Sequence, residues 1–408
     1  MKDMQGMHHG GQKAKTAGKA KGPAKKGGGQ GGMPGMQMEK GPAFAVTRAQ
    51  LVAMSLLSVL ALVAGSVFAA SQANLTVSAR EVSGVVMPPG MAVRRDLSGA
   101  SMRDMSAVDP RAVRSSAAAD ARGDQPLEAR LDGVVKVFAL EASVVGWNIL
   151  PGVQVAAYAF NGQVPGPRIR ITQGDRVRFI VRNSLPEPTT VHWHGLILPN
   201  GMDGPARITQ APIAPGGSFS YEFTATQAGT FFYHSHDKPD RQQALGLYGA
   251  LIIDPAKPAA VYDNELVVQL QEWMTKDGYT FPAMPMDGMQ PNFFTINGKA
   301  YPATERVQLR QGQKLLVRFI GSQSGFIHPM HIHGGPFTII ATDGQPVPEA
   351  SRIEKDTVNV APGERYDVIW TAREPGKWLL HCHINHHTTN DNREEDGAGG
   401  LTLIIEVS

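Results

Sequence analysis

APGERYDVIWTAREPGKWLLHCH, residues 361–383, is the second occurrence of a pattern that the chain has already used once. The earlier copy is APGGSFSYEFTATQAGTFFYHSH, residues 214–236, at an offset of 147 positions. In both copies, two runs rich in β-branched and aromatic residues are separated by a short stretch that contains a glycine, which is typical of two strands joined by a turn. The pattern therefore predicts β-structure and an internal repeat.

Further matches extend the repeat in both directions. RIRITQGDRVRFIVRN (168–183) and RVQLRQGQKLLVRFI (306–320) both alternate polar and apolar residues around a Gln-Gly turn. VHWHG (191–195) matches MHIHG (330–334), and here the offset is 139. Strand and turn signals recur without any long helical period, so the repeated region is predicted to be all-β.

The repeat sets the expected domain organisation. Asn161-Gly162 matches Asn297-Gly298, and the Pro-containing segment 254–258 separates the two copies. A repeat of roughly 130–150 residues is long enough for one β-sandwich. We therefore predict two sandwich domains, at residues 131–256 and 262–408.

The first 130 residues lack this pattern and divide into three segments. Residues 1–50 form a basic leader rich in Gly, Lys and Met, which cannot bury a core and is expected to be disordered. LVAMSLLSVLALVAGSVFAA (51–70) carries no charge over twenty positions, which predicts a signal peptide or a membrane anchor. A start at Met36 or Met38 would give a leader of ordinary length. Residues 71–130 are expected to be a linker or a surface arm.

Charge is distributed unevenly along the chain. Of the 39 Lys/Arg and 36 Asp/Glu, residues 1–48 hold nine and two, which leaves 30 and 34 in the rest. The predicted folded part is mildly acidic, so a nucleic-acid-binding surface is not expected. Positive charge before the apolar run predicts export of the repeated region to a periplasmic or other extracytoplasmic location.

The histidines are clustered rather than scattered. Eleven of the 13 fall in four groups, which are His192/His194, His234/His236, His328/His331/His333 and His381/His383/His386/His387. Four of the pairs are His-x-His, a spacing that places both imidazoles on one face of a strand. Imidazole binds copper, zinc and iron well, and eight imidazoles are too many for one ion. Three ions would share them and leave positions open for a small ligand such as O2.

The single cysteine lies between two of these histidines. Cys382 cannot form an internal disulfide, and in a strand it faces the side opposite His381 and His383. Only the second copy has His328, Cys382 and His387. The matching positions of the first copy are Thr189, Ser235 and Asp240, in that order. Two imidazoles and one thiolate are the ligands of a trigonal blue-copper electron-transfer site.

The four motifs HWHG, HSH, HPMHIHG and HCHINHH resemble the copper-binding motifs of the multicopper oxidases, over roughly residues 131–408. The order and number of the motifs make this resemblance specific. It implies two cupredoxin-like Greek-key sandwiches and four coppers per functional unit. Carried over by position, the ligands are His328, Cys382 and His387 for type 1, His192 and His331 for type 2, and His194, His234, His236, His333, His381 and His383 for the type 3 pair.

With its type 1 site in the second of two domains, the chain resembles the two-domain laccases. That resemblance implies a homotrimer with the trinuclear cluster at subunit interfaces, although the sequence alone leaves open whether the cluster forms within or between chains. It also implies O2 and a small reductant as substrates, and a catalytic acid at Asp203, whose alternative is an ordinary turn residue.

Three positions depart from the family pattern. The acidic residue found in many relatives is replaced by Asn385, and His386 is an additional histidine, expected to lie at the surface. The loop after His387 is longer than usual and contains Asp391, Glu394, Glu395 and Asp396. The strand resumes at Leu401, which is therefore the candidate for a non-coordinating axial position, and this would favour a high reduction potential.

Methionines indicate which reductant to test. Met284, Met286 and Met289 lie in one Gly/Pro-rich loop, and others lie in the leader (Met33, Met36, Met38) and arm (Met87, Met91, Met102, Met105). Thioethers suit Cu(I), which predicts a cuprous substrate site, although methionine is also a common flexible filler. The alternatives are a phenol-oxidising laccase, a non-catalytic copper-binding or tolerance protein, and a copper nitrite reductase.

Overall fold

The computed structural model describes residues 46–78, 81–82, 85–88, 99–257, 261–323, 325–394 and 397–408. The predicted disordered leader lies almost entirely outside the described residues, as do Met33, Met36, Met38, Met91, Glu395 and Asp396. Contacts divide the chain into a unit that ends at Ser66 and a unit from Val67 to Ser408.

Helix α1 (Arg48–Ser78) contains the predicted signal or anchor segment. Its first 22 residues, Arg48–Ala69, are long and apolar enough to cross a membrane, a test that a signal sequence also passes. Apolar side chains such as Leu60 and Leu62 are about 70% exposed, so they do not form part of a protein core. The helix is therefore compatible with either a signal peptide or an anchor.

The predicted arm contains β1 (Glu81–Val82), β2 (Val85–Val86), α2 (Gly99–Met105) and β3 (Ser115–Ser116), and β3 joins a sheet of the first copy. Its later residues are attached to the repeated region, because the Arg241 guanidinium donates to the backbone carbonyls of Asp104 and Ser106. The backbone N–H of Val108 also donates to the carbonyl of Thr280. The arm thus lies against both copies of the repeat.

The first copy forms two sheets. One sheet has the strand order β10-β8-β5-β3, with β4 and β6 also paired to β5, and the other has the order β7-β12-β11-β9. The strands are β3 (Ser115–Ser116), β4 (Arg130–Asp132), β5 (Val135–Leu150), β6 (Val153–Phe160), β7 (Gly166–Thr172), β8 (Arg176–Asn183), β9 (His192–His194), β10 (Ser218–Thr224), β11 (Gly229–His234) and β12 (Tyr248–Asp254), with the short helix α3 (Pro239–Gln242) before β12.

The second copy also forms two sheets. The orders are β14-β13-β17-β23-β19-β20, with β15 on β13 and β21 on β19, and β16-β25-β24-β18-β22. The strands are β13 (Asn264–Lys276), β14 (Tyr279–Phe281), β15 (Phe293–Ile296), β16 (Arg306–Leu309), β17 (Lys314–Ile320), β18 (His328–Ile332), β19 (Phe337–Thr342), β20 (Gln345–Pro346), β21 (Glu354–Lys355), β22 (Thr357–Val360), β23 (Arg365–Thr371), β24 (Gly376–Cys382) and β25 (Thr402–Val407).

The two copies share one topology, as the repeat predicts. In each, a parallel pair (β5 with β8, β13 with β17) continues into an antiparallel neighbour, and the facing sheet also contains a parallel pair (β7 with β12, β16 with β25). Asn161 and Asn297 both adopt positive φ, and each side chain closes the same pair of hydrogen bonds to the first long strand of its copy. The predicted all-β fold with two sandwich domains is confirmed, and the boundaries 131–256 and 262–408 remain predictions.

Each sandwich buries its own apolar core between its sheets, and a third buried cluster lies where the copies meet. In that third cluster, Trp147 of the first copy packs with Trp273 and Phe293 of the second. The indole N–H of Trp147 donates to the carbonyl of Gly298 at 2.7 Å, so this buried polar group is satisfied across the contact.

A buried polar network also joins the two copies. Arg318 donates to Asp367 at 2.7 Å and to the hydroxyl of Thr230 at 2.7 Å, and that hydroxyl donates to Asp367 at 2.6 Å. Arg318 and Asp367 are nearly inaccessible to solvent, so neither charge is screened by water. Hydrogen bonds within the network therefore replace the water that these buried groups have lost.

Removing one member of this network is expected to destabilise the chain. Replacing Arg318 by Met leaves Asp367 buried without its cation, which costs about 3–5 kcal/mol. The double variant Arg318→Met/Asp367→Leu should lose less than the sum of the single variants. Urea unfolding followed by tryptophan fluorescence measures this coupling. The control Arg306→Met breaks a solvent-exposed pair with Glu406 and should leave the unfolding free energy nearly unchanged. Equal effects of Arg318→Met and Arg306→Met would contradict the expectation.

Candidate metal centres

The first copy brings four of the predicted ligands together. In the register of β9 with β11, His192 lies opposite His234, and the ring of His192 is 5.3–5.4 Å from the rings of His194, His234 and His236. Strand alternation turns Trp193, between the first two histidines, into the core. One ring nitrogen each from His192, His194 and His234 lies within 4.8 Å of the others, close enough to share a metal ion.

The second copy repeats this arrangement. His331 on β18 lies opposite His381 on β24, and the rings of His331, His333, His381 and His383 are 4.9–5.7 Å from their neighbours. His333 Nε2 and His381 Nε2 are 3.1 Å apart. The set is more open to solvent than the first, since a surface cavity of about 540 Å³ is lined by His331 and His333.

The two sets of four remain separate within the chain. All eight histidines belong to the described residues, and no ring contact among them joins a histidine of one copy to a histidine of the other. Each set supplies only four imidazoles, which is half of what the motifs predict for one cluster. The structure therefore brings together each half of the predicted trinuclear ligand set but not the two halves.

The predicted type 1 ligands converge inside the second sandwich. Cys382 Sγ is 3.8 Å from His328 Nδ1 and 3.6 Å from His387 Nδ1, and the two Nδ1 atoms are 3.0 Å apart. All three residues are buried. Strand alternation explains the position of the thiol, because Cys382 faces the core while His381 on the same strand belongs to the other set.

Burial sets the protonation of these ligands. It lowers the pKa of His328 and of His387 to about 3, so both imidazoles are neutral and offer a lone pair. It raises the pKa of the Cys382 thiol to about 12, so a metal ion must displace the thiol proton when it binds. In the first histidine set, burial also lowers the pKa of His194 to about 3, with a further contribution from nearby Arg365.

Three residues around the type 1 site had no recognisable signal in the sequence. The ring of Phe294 stacks on His387 at 4.3 Å, and the ring of Phe326 lies 5.1 Å from it. Glu272 on β13 places Oε1 3.3 Å from His328 Nε2, and burial raises the pKa of this carboxyl to about 8. These contacts join residues 56–93 positions apart, which short motifs cannot reveal.

The candidate axial residue also reaches this site. The backbone N–H of Leu401 donates to the carbonyl of His387, and the N–H of Cys382 donates to the carbonyl of Leu401. The Leu401 side chain is buried in the core of the second sandwich. The long loop thus returns the chain directly to the two ligands. Its preceding residue, Gly400, has a positive φ, and a Cβ there would clash with the carbonyl oxygen of His387.

The equivalent position in the first copy is closed by a side chain. Thr189 and Ser235 lie 3.2 Å apart, as the alignment predicts, and both hydroxyls bond to Oε1 of Gln242 at 2.8 and 2.5 Å. Asp240, the expected counterpart of His387, instead bonds to the backbone N–H of Arg241. The alignment was wrong at this position, because the short helix α3 brings Gln242 into the space.

The remaining predicted residues differ in their surroundings. The carbonyl of Asp203 accepts a hydrogen bond from His192 Nδ1 at 2.7 Å, and its carboxylate oxygen is 3.5 Å from the same nitrogen. Asn385 and His386 are exposed. In the acidic loop, Asp391 accepts from the side-chain amide of Asn292, which attaches the loop to the second sandwich.

The methionines of the loop do not act as one group. Met284 and Met289 are buried in a cluster with Met87, Met105 and Phe281, and Met102 and Met274 pack against it. Met286 is 97% exposed. The structure therefore joins arm and loop methionines into one thioether cluster, which the sequence showed only as separate groups.

Comparisons with known proteins agree with this geometry. Family models of multicopper oxidases match residues 141–258 and 279–392. Copper resistance protein A of Pseudomonas syringae pv. tomato is 32% identical over 268 residues, which are 54% of this chain and 43% of that protein. Laccase-1 of Cryptococcus neoformans var. neoformans is 31% identical over 255 residues, 55% of this chain and 40% of that protein. The chain spans less than half the length of these curated relatives.

Solved structures are similar over more of their length. The blue copper oxidase from Nitrosomonas europaea has a TM-score of 0.60 and 32% identity, over 66% of this chain and 85% of that chain. The multicopper oxidase mgLAC has a TM-score of 0.62 and 34% identity, over 67% and 86%. The two cupredoxin-like sandwiches and the histidine sets define a copper protein of the oxidase type. The chain belongs to the multicopper oxidase family.

The residues present suit the metal of this family. Neutral imidazoles and a single thiolate are ligands that copper favours, and both groups that lie within 4.8 Å contain only such donors. Family members hold four coppers, and the predicted cofactor is confirmed at that level. Which histidine holds which copper remains a prediction.

Replacing the Cys382 thiol tests the type 1 site independently of the histidine sets. Cys382→Ser should lose about one copper per chain and the strong visible absorption of thiolate-bound copper, because serine lacks the soft anionic donor. Copper analysis and absorption spectroscopy check both. His386→Ala is the control, since His386 is exposed and does not belong to the group of His328, Cys382 and His387, and it should keep both properties. A normal spectrum for Cys382→Ser would contradict the assignment.

Proposed function

We propose that this chain is an oxidase that couples one-electron oxidation of a small reductant to four-electron reduction of O2 to water. The observation that supports this most directly is Cys382, whose thiol lies in the type 1 site while its neighbours His381 and His383 belong to the surface histidine set. Copper bound at these positions supplies the redox chemistry and the site for O2. The protein contributes a short covalent path between the two sites.

Two rival functions explain less of the site. A copper nitrite reductase needs one catalytic copper and would not need eight histidines in His-x-His pairs. A copper-binding protein without activity would account for the methionines but not for a cysteine that links two ligand sets. Absence of O2 consumption by the fully copper-loaded chain would favour that second alternative.

Asp203 is proposed as the acid of the O2-reducing site. Its carbonyl accepts a hydrogen bond from the ring of His192, and one of its carboxylate oxygens lies 3.5 Å from the same ring nitrogen, so the carboxyl is placed beside this set. Asn385 provides no carboxyl group of this kind. Acid–base work at the cluster therefore depends more heavily on Asp203 than in relatives that have both groups.

The trinuclear cluster is proposed to form between chains of a homotrimer. Each chain supplies two incomplete sets of four imidazoles that do not meet, and the second set lies open at the surface beside Glu354 and Asp356. Head-to-tail contacts that close into a ring bring the first set of one chain to the second set of the next. Three such contacts would complete three clusters.

Co-expression of two defective chains tests this arrangement. One variant, His192→Ala/His194→Ala, lacks half of the first set, and the other, His331→Ala/His333→Ala, lacks half of the second set. Each alone should be inactive. In randomly mixed trimers about a quarter of the interfaces should pair two intact halves, which restores roughly that share of O2 consumption.

The same experiment distinguishes the alternative. A cluster formed within one chain would stay broken in every mixed trimer, because each chain carries a defect in its own set. No recovered activity, together with trimers of normal size in sedimentation, would contradict the interchain proposal. Expression of each variant alone provides the baseline.

Cu(I) is the proposed reductant. The thioether cluster offers soft donors. Its loop also lies close to the type 1 site, because Gly325 packs between Pro285 of the loop and Glu272, and Glu272 lies beside His328. A Cβ on Gly325 would be only 2.9 Å from Pro285 and 2.6 Å from Glu272. Copper resistance protein A is among the relatives. Laccases are also among them, so a phenol is the alternative reductant.

Paired rate measurements decide between these reductants. Met284→Leu/Met289→Leu should lower O2 consumption with Cu(I) several-fold and leave the rate with a methoxyphenol unchanged, because leucine fills the space without a sulfur donor. Met286→Leu is the matched control within the same loop. A faster rate with the phenol, unaffected by either variant, would make the chain a laccase and leave the methionines a packing role.

Export is proposed from helix α1. An exposed apolar helix of this length directs the domains after it across a membrane as a signal sequence or holds them there as an anchor. An extracytoplasmic location would place the oxidase where copper ions and phenols reach it from outside the cell.

A further inference from the structure

Glu272 differs from the other buried acids of the chain. It is 1% exposed, and among the described residues no lysine or arginine lies within ion-pair distance of its carboxyl. By contrast, each of the other buried acids has a cation beside it: Asp124 pairs with Arg168, Asp237 with Arg207 and Asp367 with Arg318. Burying a carboxyl without a cation costs free energy of folding unless hydrogen bonds compensate for the lost hydration.

The two oxygens of Glu272 lie among the groups that surround the type 1 site. Oε1 accepts a hydrogen bond from the backbone N–H of Phe326 at 2.8 Å and lies 3.3 Å from His328 Nε2. Among the described residues, that nitrogen makes no hydrogen bond. At 3.3 Å, Oε1 of Glu272 nevertheless lies within the distance limit of a hydrogen bond to it.

The orientation of His328 determines which nitrogen needs this partner. Its Nδ1 faces Cys382 and His387, so a metal ion held by the three residues uses the lone pair of Nδ1. The proton of the neutral ring then lies on Nε2, inside the core. A buried N–H without an acceptor is destabilising, and Glu272 is the acceptor in reach. Oε1 can accept whether or not the other oxygen carries a proton.

The same carboxyl also acts on the second imidazole through the backbone. Glu272 accepts a hydrogen bond from the backbone N–H of Phe326 and so fixes the backbone of this segment. The ring of Phe326 lies 5.1 Å from the ring of His387. Gly325, next in this segment, has no room for a side chain, since a Cβ would be 2.6 Å from Glu272 Oε2. The segment is therefore packed tightly against the carboxyl.

We propose that Glu272 is a positioning residue of the type 1 site, which fixes the tautomer and plane of His328 and holds Phe326 against His387. Partners of this kind orient metal-binding histidines and raise their basicity. The proposal rests on copper binding by His328, Cys382 and His387, and it is independent of the reductant and of the trimer.

The test compares three full-length variants. Glu272→Leu removes the acceptor, and about 10- to 100-fold weaker retention of type 1 copper is expected in competition with a chelator, with a shifted visible absorption band. Glu272→Gln keeps one acceptor oxygen, so its copper retention should lie closer to wild type, with a raised reduction potential because His328 becomes less basic. Asp124→Asn is the control, since this buried acid contacts Gln269 and Arg168 and no histidine.

The outcomes separate this inference from the proposed function. Wild-type copper retention, spectrum and potential in both Glu272 variants would overturn the inference, while a normal type 1 signal would leave the proposed function intact. If Glu272→Leu does not fold, the potential of Glu272→Gln decides. A change of the same size in Asp124→Asn would assign the effect to general loss of a buried acid and would also overturn the inference.

Discussion

The alternation of side chains along strand β24 is the constraint on which both copper sites depend. A strand directs successive residues to opposite faces, so Cys382 enters the core while His381 on the strand, and His383 directly after it, remain at the edge of the sandwich. The buried site gains neutral imidazoles and a dry environment. The outer histidines are open to solvent but lack the other half of their ligand set. One strand thus makes a closed site and an open one.

The first copy shows how little must change for such a fold to lose its buried site. Its backbone keeps the same pairing, with His192 opposite His234, as in the second copy with His331 opposite His381. The pocket inside the sandwich is nevertheless filled, because the carboxamide of Gln242 binds both hydroxyls of Thr189 and Ser235. The repeat therefore preserves the outer ligand face and varies the inner one.

The sequence predicted those features that are local in the chain. The alternating stretches, the Asn-Gly turns and the His-x-His pairs each depend on a few consecutive residues, so the strands and the grouping of ligands could be predicted directly. Contacts between distant segments could not be predicted. Glu272 reaches His328 across 56 positions, and Met87 reaches Met284 across almost 200. Asp240 was misassigned because Lys238 adopts a left-handed conformation and starts a short helix, which changes the spacing after Ser235.

The contact between the sandwiches extends to the first histidine set. Arg365, on β23 of the second copy, donates to the carbonyl of Thr230. Its guanidinium also packs against Gly195, where a Cβ would be only 2.5 Å away from it. Gly195 comes directly after His194 and has a positive φ, so glycine is required there for both space and backbone conformation. The fixed cation also disfavours protonation of His194, which keeps that ring available as a ligand. The fit between the two copies within one chain therefore helps to prepare the ligand face that a neighbouring chain is proposed to complete.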